Sequence, residues 1–201
     1  MNRASRLQPA IVQDAIALPA SRPGPPCPAA PGGAVVPLDP FLFRAVLATD
    51  GTVSNLIESF LEPVRIEKLG EERTSAPVAE WPDLPAGTPV VRRTVLIRGV
   101  ESGRIFLHAE SLLVLDRLDP ALRRELSETD RPIGKLIRAH RIESFRELLG
   151  SRSEPAGPRA AVLGCRPADP LVARTYRIHF GGRPAIQITE RFMSRDERPR
   201  P

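Results

Sequence analysis

Two charged side chains stand where the chain's alternation calls for apolar ones. In Ala185-Ile-Gln-Ile-Thr-Glu-Arg-Phe192 the residues Ile186, Ile188, Glu190 and Phe192 share a parity, and side chains alternate faces along a strand. Glu190 therefore points with three apolar groups. A carboxylate there is costly to ionise unless it is paired or hydrogen-bonded. In Pro89-Val-Val-Arg-Arg-Thr-Val-Leu-Ile-Arg98, Arg93 shares a face with Val91, Val95 and Ile97. A guanidinium stays charged in any site and needs an anion. Three arrangements satisfy both residues: a plain Arg93–Glu190 pair, separate structural ion pairs, or a pocket holding a small carboxylate, which a planar guanidinium binds in a bidentate way. A strand end or register break that brings Glu190 to water is the further alternative.

The elements that must position these residues are readable in outline. Gly181-Gly182 lies between two alternating runs and predicts a tight hairpin over 174–192. A second hairpin spans 89–113, turning at Glu101-Ser-Gly103. Asp39-Pro40 opens a short helix that Asp50-Gly51 ends, and Thr52 caps a second over 53–61. Residues 63–68 alternate as a strand, and 69–87 read as loop. Asp119-Pro120 begins another helix. Pro132-Ile-Gly134 reads as a helix entry in which Pro132 suits an early helical position and Gly134 permits close approach of a neighbour or ligand. Residues 142–149 fit a helix or a strand equally, and 151–170 read as a connection with a short strand at 160–163. Hairpins mixed with helices predict an α+β fold with a largely antiparallel sheet.

Composition narrows the function classes. The chain has 201 residues and 23 prolines, enough for one domain with a core. Residues 1–35 form a Pro-rich arm expected to be disordered, 36–193 the domain, and 194–201 a frayed charged tail. The net charge is +5, and only Lys68 and Lys135 of the 29 basic residues are lysines. Arginines are interleaved with acids and aromatics are few, which argues against nucleic acid as a partner. No apolar run is long enough to span a bilayer. Cys27 and Cys165 make neither a disulfide framework nor a metal motif, so a reducing cytoplasm is expected. His108, His140 and His179 lack ligand spacing, and His108-x-Glu110 has no Pro-Cys-x-x-Cys after it to make a zinc deaminase site. Walker A, Rossmann and nucleophile-elbow motifs are absent from the sequence.

With these residues in view, the chain resembles the chorismate–pyruvate lyase family over roughly residues 41–193. The ordered motifs are Asp50-Gly-Thr-Val-Ser54 before a helix, Arg93 in a strand, Ala109-Glu-Ser111 in its partner, Pro132-Ile-Gly134, and Gly181-Gly-Arg-Pro184 followed by Glu190. The resemblance implies an antiparallel sheet of about six strands with helices packed over it as flaps, a fold shared with the effector domains of GntR-type regulators. It implies a cofactor-independent, metal-free elimination of pyruvate from chorismate that leaves 4-hydroxybenzoate. A monomer or weak oligomer is expected. Residue by residue, it assigns the ring carboxylate to Arg93 and the ring hydroxyl to Glu190. It also makes Ile133 and Gly134 the turn that closes the pocket, and Val53 an apolar flap position. Glu110 departs from the pattern, standing where the ubiquinone-pathway members carry a basic residue. A non-catalytic acid-binding domain and a lyase making another hydroxybenzoate are the rival readings.

Overall fold

A computed structural model describes residues 33–77, 79–129 and 131–194; most of the predicted arm and nearly all of the predicted tail lie outside them. Six strands form one antiparallel sheet: β1 (Val64–Ser75), β2 (Pro89–Gly99), β3 (Ile105–Leu113), β4 (Phe145–Pro155), β5 (Pro170–Phe180) and β6 (Arg183–Met193). Their spatial order is β1-β2-β3-β6-β5-β4. The two predicted hairpins thus meet at the centre through β3 and β6, which buries both faces of these strands. The β5–β6 turn is Gly181-Gly182, with φ of 54° and 74°. Positive φ at both central residues is the type I′ form, whose twist matches that of the flanking strands over a two-residue loop.

Four helices cover one face: α1 (Pro40–Ala48), α2 (Val53–Phe60), α3 (Pro120–Glu128) and α4 (Ile133–Ala139). The caps that start α1 and α3 are those the sequence signals. Asp39 accepts from Phe41 N–H, and Asp119 from Ala121 and Leu122 N–H. Helix faces carrying Leu42, Val46, Val53, Ile57, Leu122 and Leu136 pack with Ile178, Ile186, Ile188 and Phe192 of the sheet in the main core. The opposite face is covered by α5 (Ala160–Leu163) and the segment around Val35, which bridges to Ile105. The Trp81 loop covers it further along, packed with Val90 and Leu112.

Four expectations change. β1 runs on to Ser75, through a bulge between Lys68 and Gly70, where a loop is expected from residue 69. It is an edge strand whose second half is exposed on both faces, so it carries no alternation to read. Residues 142–149, open between helix and strand, enter β4 at Phe145, and this strand continues to Pro155 through what reads as a connection. Residues 160–163 form a helical turn rather than a strand. Pro132 sits at the N-cap of α4, one position before the helix.

Candidate functional site

Register places the two anomalous charges on one wall. Arg93 lies opposite Ser111, Ser111 opposite Ile188, and Ile188 opposite Tyr176. One row along, Val95 lies opposite Ala109, Ala109 opposite Glu190, and Glu190 opposite Arg174. Arg93 and Glu190 therefore stand two strands and one row apart, about 12 Å between backbones at the usual ~4.8 Å strand spacing and ~3.4 Å rise per residue. Both are buried, at 3% and 5% exposure.

Helices roof this wall. The cavity between them, about 60 Å³, is lined by Arg93, Val95, Ala109, Ser111, Tyr176, Ile178, Ile188 and Glu190 from the sheet. Thr52, Val53 and Ser54 of the α2 entrance and Arg131, Pro132, Ile133 and Gly134 of the α4 entrance line its roof, with Ile66, Ile97 and Arg146 at its sides. All five residues singled out by sequence (Val53, Arg93, Ile133, Gly134 and Glu190) thus meet around one space. This space is smaller than the roughly 150 Å³ of a cavity that holds benzene. Gly134 is what lets the roof close: a Cβ there would stand 2.6 Å from Thr52 Cγ2 and 2.7 Å from its Oγ1. The neighbour its lack of a side chain admits is Thr52, at the start of α2.

Glu190 does not take Arg93 as its partner. Its Oε2 is 3.5 Å from Arg174 Nη1, and its Oε1 accepts from Tyr176 O–H at 3.1 Å. Burial pushes the Glu190 carboxyl up from its ordinary range, while the charges of Arg174 and Arg146 and the Tyr176 hydrogen bond pull the other way. Burial, with the Glu190 charge, raises the Tyr176 phenol well above its usual value, so the phenol keeps its proton and donates. Arg174, only 1% exposed, also donates from Nη1 to Val46 O at 2.6 Å and from Nη2 to Thr49 O, and stacks over the Tyr176 ring at 4.9 Å. It thereby satisfies carbonyls left open at the C-terminus of α1 and ties that helix to the carboxylate.

Arg174, Tyr176 and Arg146 were not singled out by sequence. Ser54 belongs to the Asp50–Ser54 motif and has a defined place here: its buried hydroxyl lines the roof without a hydrogen-bond partner. Glu110, the departure from the family pattern, faces away from the cavity, because its neighbours Ala109 and Ser111 face into it. It binds Arg159 and Arg191, each at 3.3 Å. Burial works against its charge, but Arg191, Arg159 and His108 together hold its carboxyl below the usual range. No group of His, Cys, Asp or Glu among the described residues is placed to hold a metal ion. None of the described helices is long and apolar enough to cross a membrane.

A largely apolar cavity with a buried cation and a buried carboxyl, roofed by helices on a six-stranded antiparallel sheet, marks this as an α+β domain built around one charged pocket. The same fold occurs in the effector domain of PhnF from Mycobacterium smegmatis, with a TM-score of 0.58 and 15% identity over 73% of this chain and 90% of that one. It occurs also in the ligand-binding domain of a protein described as a GntR-family transcriptional regulator from Bordetella bronchiseptica, with a TM-score of 0.50 and 19% identity over 65% of this chain and 83% of that one. At the level of sequence, the model of a family described as chorismate pyruvate-lyase Rv2949c-like matches residues 47–198. A chorismate pyruvate-lyase of Mycobacterium leprae is 32% identical over 161 residues, covering 75% of this chain and 73% of that protein. One from Mycobacterium tuberculosis is 29% identical over 156 residues, covering 75% and 78%. The chain belongs to the Rv2949c-like chorismate pyruvate-lyase family.

Proposed function

We propose that this chain is a chorismate lyase that eliminates pyruvate from chorismate and forms 4-hydroxybenzoate. The observation that carries the reading is the separation of Arg93 and Glu190 along one apolar cavity. A guanidinium and a carboxyl about two strands apart match a ring bearing a carboxylate at one end and a hydroxyl at the other.

The chemistry asks little of the protein beyond placement. The C4–H bond and the C3–O bond break, a C3=C4 double bond completes the aromatic ring, and the proton leaves with the enolpyruvyl group, which tautomerises to pyruvate. Aromatisation drives the step, so positioning and fixed charge carry the catalysis. Arg93 holds the ring carboxylate in a charge-assisted contact. Glu190, its pKa raised by burial, orients or exchanges a proton at the C4 hydroxyl and the departing oxygen. Tyr176 and Arg174 fix the two Glu190 oxygens, leaving their remaining lone pairs toward the cavity. Val53, Ile133 and Gly134 close the apolar roof and exclude water. Arg93, Glu190, Val53, Ile133 and Gly134 are thus the proposed substrate contacts, and no cofactor or metal is invoked.

The test is direct. Purified protein is mixed with chorismate in chelator-containing buffer, and pyruvate and the aromatic product are followed by chromatography. Equal amounts of pyruvate and 4-hydroxybenzoate support the reading. Pyruvate with another hydroxybenzoate keeps the lyase and changes the product. Tight binding without turnover makes the domain a sensor of small aromatic acids, and neither binding nor turnover overturns the cavity assignment.

A further inference from the structure

The substrate in this reading is a dianion, and Arg93 accounts for one of its carboxylates. The second belongs to the enolpyruvyl group, and Glu110, the one departure in the strand pattern, lies on the far side of the sheet. Two further arginines, Arg131 and Arg146, line the cavity, and Arg174 lies next to it behind Glu190. Arg174 is committed to Glu190 and to the carbonyls of Val46 and Thr49. Arg131 binds the Glu125 carboxylate at 2.5 Å. Arg146 differs from both. It projects from β4 opposite Ile178, on the cavity face. Its hydrogen bonds are both 3.3 Å long and go to neutral acceptors, Asp50 O and Thr52 Oγ1. Its buried Nε has no hydrogen-bond partner, and among the described residues no carboxylate stands within ion-pair distance of it.

Ser54 lines the same cavity from the roof. It is 3% exposed, lines the cavity two residues beyond Thr52, and its buried hydroxyl has no hydrogen-bond partner. Buried polar atoms are ordinarily satisfied, and one that is not calls for an explanation. Here a cation with no carboxylate partner among the described residues and a hydroxyl without a hydrogen-bond partner line one space. We infer that Arg146 and Ser54 form a second anion subsite at the roof end of the cavity, which takes the enolpyruvyl carboxylate of the substrate. This rests on the lyase reading for the ligand's identity and extends it. The subsite engages the dicarboxylate and has nothing to hold in the monocarboxylate product. Occupying it exchanges two long bonds to the α1–α2 connection for a charge-assisted one. Cleavage of the C3–O bond then separates the two anchored carboxylates.

The experiment compares chorismate with 4-hydroxybenzoate in wild type, Arg146→Gln, Arg146→Lys and Ser54→Ala, each checked for folding by circular dichroism. KM comes from pyruvate release, and Kd for both compounds from calorimetry. Loss of a charge-assisted contact predicts a rise of about 10–100-fold in the chorismate KM and Kd for Arg146→Gln. Arg146→Lys should recover part of this. Ser54→Ala should give a rise of about 3–10-fold. In all three variants the Kd for 4-hydroxybenzoate should stay within about 2-fold of wild type. A role confined to holding the roof down would weaken both compounds equally, and that result overturns the subsite, as does an unchanged chorismate affinity in Arg146→Gln. If wild type binds chorismate but releases no pyruvate, the lyase reading fails alone, because the ratio of the two Kd values still decides the subsite. If wild type binds neither compound, both fail.

Discussion

Arg174 stands directly opposite Glu190 across β5 and β6, with its guanidinium against one carboxylate oxygen while the Tyr176 hydroxyl donates to the other. The pair is almost wholly enclosed, so its worth lies in mutual compensation rather than in net attraction. Removing one partner of such a pair commonly costs about 3–5 kcal/mol. Arg174→Met is expected to lower stability by about that amount in urea denaturation, with the lost bonds to Val46 and Thr49 adding to it. Adding Glu190→Gln removes the buried carboxyl left without its cation and should restore a large part. If the double variant is as unstable as the sum of the two single ones, the pair is not the reason.

The raised Glu190 carboxyl sets the sign of a pH effect. In its proposed role the carboxyl acts with its proton on, so turnover should fall as pH rises through a limb above the ordinary carboxylate range. Glu190→Gln should cut kcat by about 100-fold or more, typical for loss of a positioned acid–base group, and abolish the limb. Tyr176→Phe removes a hydrogen bond that holds the carboxyl down, so it should move the limb upward. A limb that survives in Glu190→Gln assigns it to another group.

How far this site could be read in advance depends on register. Alternation alone put Glu190 and Arg93 on an apolar face, and the Gly181-Gly182 turn placed β5 beside β6. Counting back from that turn, however, sets Arg174 opposite Thr189, because the turn pairs Phe180 with Arg183. A register shift between Ile178 and His179 brings Arg174 opposite Glu190 instead. A bulge adds one residue to a strand without any fixed sequence mark, so the partner of Glu190 was hidden by a single position. Arg146 was hidden differently. Its strand is at the sheet's other edge, Phe145 and Leu149 are exposed, and no period separates helix from strand there. The helix caps at Asp39 and Asp119 depend only on neighbours two or three residues away, which is why they were legible.

On the far face of the sheet, His108 sits among Glu110, Arg159, Arg191 and Glu154. Burial, helped by the Arg191 and Arg159 charges and opposed by the Glu110 carboxylate, lowers its pKa from 6.5 to about 4. The unfolded chain binds this proton more readily, so stability is full above about pH 6.5 and is lost as pH falls toward 4. The shift corresponds to roughly 3 kcal/mol. Glu110, also held low, extends the loss in the same direction below its ordinary pKa. Urea denaturation at pH 7 and pH 4.5 should show a drop of about 2–3 kcal/mol in wild type and a much smaller one in His108→Gln. An equal drop in both would assign the acid sensitivity elsewhere.

Gly134 and Thr52 hold the two roof helices together, and their contact can be tested by a reversal of sign. An alanine at 134 gains helix propensity of at most about 1 kcal/mol over glycine. Its Cβ would stand 2.6 Å from Thr52 Cγ2 and 2.7 Å from Oγ1, and overpacking of this kind costs about 1–3 kcal/mol. Gly134→Ala should therefore be neutral to about 2 kcal/mol destabilising and should raise the KM for chorismate, because the α2 and α4 entrances can no longer close on the ligand. Thr52→Ala removes both offending atoms and leaves only its Cβ, 3.2 Å from the new methyl. In that background Gly134→Ala should cost nothing or become stabilising. If Gly134→Ala is equally harmful with and without the Thr52 side chain, the close approach of the two helices is not what the glycine serves.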